Sequence, residues 1–141
     1  MRVGLRAGRM QHQLGDRMFS ITTEPHRKLV RLSVKGMLTL EQVQELYRQE
    51  HEAIRAMGCN LGEQLVIVDL RECPLQLQDI VNAFQKSMES PAKAQRLAMV
   101  TGTSLSKMQA RRIMKRNDAA LFDTIAEAEA WIFSADQRKA A

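Results

Sequence analysis

Two short apolar runs, Leu65-Val66-Ile67-Val68-Asp69-Leu70-Arg71 and Leu97-Ala98-Met99-Val100-Thr101-Gly102-Thr103, constrain this chain more than anything else in it. Each turns polar abruptly and leads into a helical pattern. A strand with one face in water alternates apolar and polar residues, whereas a strand covered on both faces does not. The runs therefore predict inner strands of a parallel sheet with helices packed over it. In such sheets ligands and partners meet the loops at the carboxyl ends of the strands. That places the functional edge beside Asp69 and Arg71 and beside Thr101 to Ser104.

The flanking sequence supplies the rest of the architecture. Phe19 to Thr22 and Leu29 to Val34 bracket the turn Glu24-Pro25-His26-Arg27. Leu32 and Val34 alternate with Arg31, Ser33 and Lys35, the period of a half-exposed strand, so the pair predicts an antiparallel hairpin closed by Gly36. Thr39 followed by Gln42 has capping-box spacing, and Gly58 after Met57 fits a left-handed helix stop. Between them Leu40, Val43, Leu46, Tyr47, Ile54 and Met57 form an apolar face, and Glu50, His51 and Glu52 read as helix surface.

A second helix is expected from about Leu75 to Met88, with Leu77, Ile80, Val81, Phe84 and Met88 inward and Pro91 blocking its continuation. A third opens at Ser104 and turns Leu105, Met108, Ile113 and Met114 inward. A strand from Ala119 to Phe122 and a Thr124-capped helix anchored by Ile125, Ala128, Trp131 and Ile132 end the pattern. The order β-β-α-β-α-β-α-β-α predicts an α/β fold: a mixed, mostly parallel sheet of about five strands, with an N-terminal β-hairpin and about four helices. The domain spans 18–133, followed by a polar tail over 134–141. Residues 1–17 show neither period and read as a flexible basic extension. A basic arm touching an acidic surface, or an Arg-rich targeting peptide, are the alternatives.

Charge narrows the range of partners. The formal net charge is +5, but Arg2, Arg6, Arg9 and Arg17 against Asp16 place +3 of it in the first 17 residues and leave the other 124 at +2. A nearly balanced body gives no argument for nucleic acid. Cys59 and Cys73 have no CxxC or Cys/His pattern and no secretory segment precedes them, so a reduced, cytoplasmic protein is expected. No apolar run approaches the ~20 residues needed to span a bilayer.

Several segments together resemble the STAS-like fold of bacterial anti-sigma factor antagonists, more narrowly the bacterial STAS-like proteins related to lipid-binding CRAL-TRIO domains. They are Val66-Ile67-Val68-Asp69-Leu70-Arg71, Val100-Thr101-Gly102, Met108-Gln109-Ala110-Arg111-Arg112, and Phe122-Asp123 with Glu127-Ala128-Glu129-Ala130-Trp131. The resemblance runs from about Met18 to Phe133 and implies a small, non-enzymatic interaction or sensing module. In the antagonists a serine after the middle strand is phosphorylated. The matching stretch here, Asp69-Leu70-Arg71-Glu72-Cys73-Pro74, holds neither serine nor threonine, so that switch does not carry over.

The residues themselves point to binding rather than catalysis. Thr101, Thr103 and Ser104 place hydroxyls at a helix start, where free N–H groups and the dipole favour an anion. Gly102 permits close backbone approach. Arg71 and Lys107 could add charge, and Asp69 closes the neighbouring strand or holds a loop amide. Lys107, Arg111, Arg112, Lys115 and Arg116 make a basic helix face, which solvation alone would also explain. Cys73 near a helix start reads as a buried or inert thiol, since no local histidine activates it, with a reactive thiol as the alternative. His12, His26 and His51 are scattered and form no metal-ligand spacing, and no cofactor motif is present. The expectation is a regulatory or adaptor module that binds a protein partner through Asp69, Arg71, Thr101, Gly102, Thr103, Ser104, Lys107, Arg111 and Arg112. The alternative is a sensor that takes a small anionic or lipid-like ligand at the same strand ends.

Overall fold

A computed structural model describes residues 18–90, 93–114 and 118–140, with the backbone alone described at 104–106, 113 and 135–140. The extension at 1–17, Pro91, and the basic residues Lys115 and Arg116 lie outside the described residues. The strands are β1 (Phe19–Glu24), β2 (Leu29–Lys35), β3 (Leu65–Glu72), β4 (Arg96–Thr101) and β5 (Ala119–Phe122). The helices are α1 (Leu40–Ala56), α2 (Gln78–Met88), α3 (Ser104–Ile113) and α4 (Ile125–Ala140). The five strands form one sheet in the order β1-β2-β3-β4-β5. β1 is antiparallel to β2, and the remaining pairs are parallel.

Sequential order decides the layering. Parallel crossovers share one hand, so a sheet that grows in one direction receives all its connecting helices on one face. Side chains of α1, α2 and α3, among them Leu46, Ile54, Ile80, Val81 and Ala110, accordingly pack in one core with Val30, Leu32, Val66, Leu97 and Met99. α4 connects to no further strand and is free to cover the opposite face. There Ala128 and Ile132, both fully buried, meet Leu29, Leu65, Ile67, Ala98 and Val100. Thus β3 and β4 are buried on both sides, as their unbroken apolar runs require. β2 alternates beyond Val30 because α4 does not shield Ser33 and Lys35, which are exposed.

Local chemistry sets the element ends. Gln42 N–H donates to Thr39 Oγ1 at 3.1 Å and Thr39 N–H donates to Gln42 Oε1 at 2.8 Å, a reciprocal capping box. Gly58, at φ +79°, leads the chain out of α1. α4 is fastened at its margins: the Arg96 guanidinium stacks 3.9 Å over Trp131, Arg27 lies 4.1 Å over Phe133, and Arg31 pairs with Glu129 at 2.6 Å.

Three helix details depart from the sequence pattern. α2 starts at Gln78, not near Leu75, because Gln76 is held by bonds to neighbouring loops, and Leu77 stands 61% exposed. Met108 does not face inward. The α3 stripe runs through Ala110 and Met114, and a residue two positions before Ala110 falls on the far side of the helix, leaving Met108 50% exposed. Leu40, in the first turn of α1, is 43% exposed.

Since Ile132 is fully buried in the core that α4 closes, Ile132→Ala is expected to lower unfolding stability by about 2–5 kcal/mol. Urea titration checks this. Trimming the exposed Met108 to alanine, by the same method, should change stability by less than about 0.5 kcal/mol.

Candidate functional site

The loops after β3 and β4 meet at one edge of the sheet. Leu70 pairs with Thr101 in the ladder, so the next residues on each strand are neighbours. A Cβ on Gly102 would lie 2.7 Å from the Arg71 carbonyl oxygen and 3.2 Å from its Cα. The close approach that glycine permits is therefore filled by the adjoining loop. Asp69 turns back on its own segment: Arg71 donates from its backbone N–H to Oδ1 at 3.0 Å, from Nε to Oδ1 at 2.9 Å and from Nη2 to Oδ2 at 2.8 Å. This forked contact holds the Asp69 carboxyl below the usual aspartate range.

The other expected residues lie around this junction. Thr101 is buried, and its Oγ1 has no hydrogen-bond partner among the described residues. Thr103 is exposed, and its carbonyl accepts the Lys107 N–H at 3.0 Å as α3 begins. Ser104 is the first residue of α3, with its side chain outside the described residues. Lys107 reaches Asp123 at 2.5 Å, fastening α3 to the loop after β5. Arg111 and Arg112 are exposed one turn further on. Two of the four cations expected to meet a ligand are thus paired within the chain.

A pair of glutamines that the sequence did not single out ties two loops to α3. Leu38 N–H donates to Gln76 Oε1 at 2.9 Å, and Gln76 Nε2 donates to the Gly36 carbonyl at 3.0 Å. Gln76 N–H donates to Gln109 Oε1 at 2.9 Å, and Gln109 Nε2 returns to the Gln76 carbonyl at 3.1 Å. Around these bonds Met37, Leu40, Leu75, Leu77 and Met108 are all exposed by 43% or more. They come from three separate segments, each following a strand's carboxyl end.

Beneath this surface, between the sheet and α1 to α3, lies a cavity of about 150 Å³. Its walls are chiefly apolar, with Val66, Val68, Leu70, Phe84, Met99 and Ala110 among them. Glu50 also lines it, 6% exposed, with no hydrogen bond or ion pair to its carboxyl among the described residues. Burial raises its pKa to about 7. Glu50 is thus not helix surface. It lies seven residues after Val43, in line with Leu46, Tyr47 and Ile54, and that period was the available signal. Cys73 lies in the loop five residues before α2 and also borders the cavity. Burial pushes its thiol up, against which a hydrogen bond from Gln76 at 3.2 Å acts weakly. A thiol raised by burial is a poor nucleophile at neutral pH. No group of three or more His, Cys, Asp or Glu residues is placed to hold a metal among the described residues.

The architecture matches the crystal structure of an uncharacterised DUF3478-family protein from Shewanella loihica PV-4, described as having a SpoIIAA-like fold. The TM-score is 0.61 at 15% identity, covering 81% of this chain and 93% of that one. The fold is SpoIIAA-like. It is the STAS-like fold that the sequence segments resemble, and at this identity the likeness carries the fold alone. No protein-family model matches the sequence, and no curated protein does.

Two outcomes follow for this SpoIIAA-like domain. Gly102→Ala should cost about 1–3 kcal/mol, read from the urea midpoint, because the new methyl meets backbone rather than a movable side chain. Glu50, whose folded pKa of about 7 exceeds its ordinary 4.5, binds its proton more tightly when folded. Its contribution is complete below about pH 4.5 and is lost as pH rises to about 7. The neighbouring His51 is shifted down, by burial and then by Arg55, and acts in the opposite sense. The difference between wild type and Glu50→Gln isolates the carboxyl. Unfolding titrations at pH 5 and pH 8 should show the wild type losing up to about 3 kcal/mol relative to the variant.

Proposed function

We propose that this SpoIIAA-like domain is a non-catalytic regulatory or adaptor module that binds a protein partner through the carboxyl end of its sheet. The observation that carries this reading is the exposed set Met37, Leu40, Leu75, Leu77 and Met108, gathered by the Gln76 and Gln109 bonds. Exposed apolar side chains on neighbouring segments beside charge suit a contact surface. Arg111 and Arg112, exposed on α3, supply the charge. The partner surface therefore combines an apolar centre with carboxylates at its margin.

Internal pairing weakens the anion-sensor alternative. Arg71 is committed to Asp69 and Lys107 to Asp123, and Thr101 is buried. The non-catalytic reading is supported by the same residues, since the described strand ends combine hydroxyls and amides with Asp69–Arg71 and Lys107–Asp123 ion pairs. The two cysteines are free thiols, which suits a reducing cytoplasm. No helix among the described residues is long and apolar enough to cross a membrane.

Photo-crosslinking in the host cell tests the surface. A benzophenone residue in place of Leu77 or Met108 should yield one discrete protein adduct, and one in place of Glu52 on the outer side of α1 should not. Arg111→Glu with Arg112→Glu should reduce the adduct at least about tenfold by opposing the partner's carboxylates. Absence of a protein adduct at both positions, or an adduct unaffected by charge reversal, overturns this placement.

A further inference from the structure

The buried cavity raises a question separate from the surface above it. A close-packed core has few voids larger than a water molecule, and a void of about 150 Å³ among aliphatic side chains is large enough for a molecule the size of benzene. An apolar void alone would say only that such a molecule fits. Glu50 says more. Its side chain faces the cavity from the inward stripe of α1, it is 94% buried, and no partner for it exists among the described residues. Leaving a carboxyl so placed is costly unless something supplies a hydrogen bond or an opposite charge. The neighbouring polar groups are otherwise occupied or lie at the rim. Ser87 lies beside the Tyr47 hydroxyl, Gln64 Oε1 accepts the Gly62 N–H at 2.8 Å, and Lys93 is exposed.

We infer that the cavity is a binding site for a small, mainly apolar molecule carrying a hydrogen-bond donor, best a primary amine, with Glu50 receiving the donor and the apolar body lying against Val66, Val68, Leu70 and Met99. Above about pH 7, where Glu50 is ionised, a ligand carboxylate is disfavoured, because it would bring a second negative charge to the same buried oxygen atoms. The selectivity is opposite in sign to that of an anion site at the strand ends. It does not depend on the partner surface, so either can fail alone.

Three six-carbon probes, hexylamine, hexan-1-ol and hexanoate, test it by two-dimensional amide NMR on the full chain. At pH 8, where Glu50 is ionised, hexylamine and hexan-1-ol should shift the resonances of residues 66–70 and of Glu50 and its helical neighbours, and hexanoate should bind at least tenfold more weakly than hexylamine. In Glu50→Gln, hexan-1-ol should still bind, which shows the cavity intact, and the amine-over-carboxylate preference should fall to within about twofold. Ala110→Leu, which projects into the cavity, should weaken all probes, with amide dispersion confirming the fold. Hexanoate binding as tightly as hexylamine overturns the inference. So does an unchanged preference in Glu50→Gln, or the absence of shifts at the cavity with every probe.

Discussion

The direction in which the sheet grows governs the rest of this molecule. With strands in chain order and crossovers of one hand, α1, α2 and α3 have no choice of face. Among the described residues the other face is closed by α4, which leads to no further strand. The division of labour shows in residue size. The face under α4 receives Phe122, Trp131 and Phe133, with Arg96 and Arg27 stacked on their rings. The three-helix face is built largely of Val, Leu, Met and Ala around Phe19, with Tyr47 and Phe84 meeting edge to face at 6.3 Å. Two of its helices are only 11 and 10 residues long. The cavity lies under these short helices.

A void lined by side chains too small to fill it lowers stability through lost packing contacts. Glu50 adds a second cost on the same wall, because its carboxyl has exchanged water for an apolar surround. Either could be tolerated alone as an imperfection. Their coincidence at one place, in a domain whose opposite face is tightly stapled, is the physical reason to treat the cavity as a feature of function.

The two apolar runs made the fold legible. Burial on both faces of β3 and β4, the half-exposed β2, the Thr39 capping box and the helix-strand alternation all follow from period and capping chemistry, and the resemblance to the STAS-like fold agreed with them. The helix phases were less legible. Met108 and Leu77 are apolar, and apolarity alone assigned them inward, although they occupy the outer side of α3 and the turn before α2. Glu50 erred the other way, its charge overriding a position squarely on the apolar stripe. Gln76 and Gln109 could not be read at all, since their bonds join residues 33 apart and depend on how two loops and α3 converge. Sequence placed Asp69, Arg71, Gly102 and Lys107 at the correct edge but offered them to a ligand. Pairing partners such as Asp123, and the Arg71 backbone against Gly102, become visible only in three dimensions.

The exposed surface and the buried cavity share a wall. Leu70, Cys73, Pro74, Gln76 and Gln109 line the cavity from beneath, and Gln76 and Gln109 are the residues whose bonds hold the exposed apolar side chains in place above it. A molecule in the cavity would touch the partner surface only through this layer. Such contact couples the two sites only to the extent that the occupied cavity favours one arrangement of the loops over another. By linkage any effect is reciprocal, so a partner that requires the bonded arrangement of Gln76 would tighten ligand binding by the same factor that the ligand tightens partner binding. The glutamine pair suits that role physically. Its hydrogen bonds are neutral and individually modest, so a small difference in cavity packing is of the same order as the bonds that fix the surface.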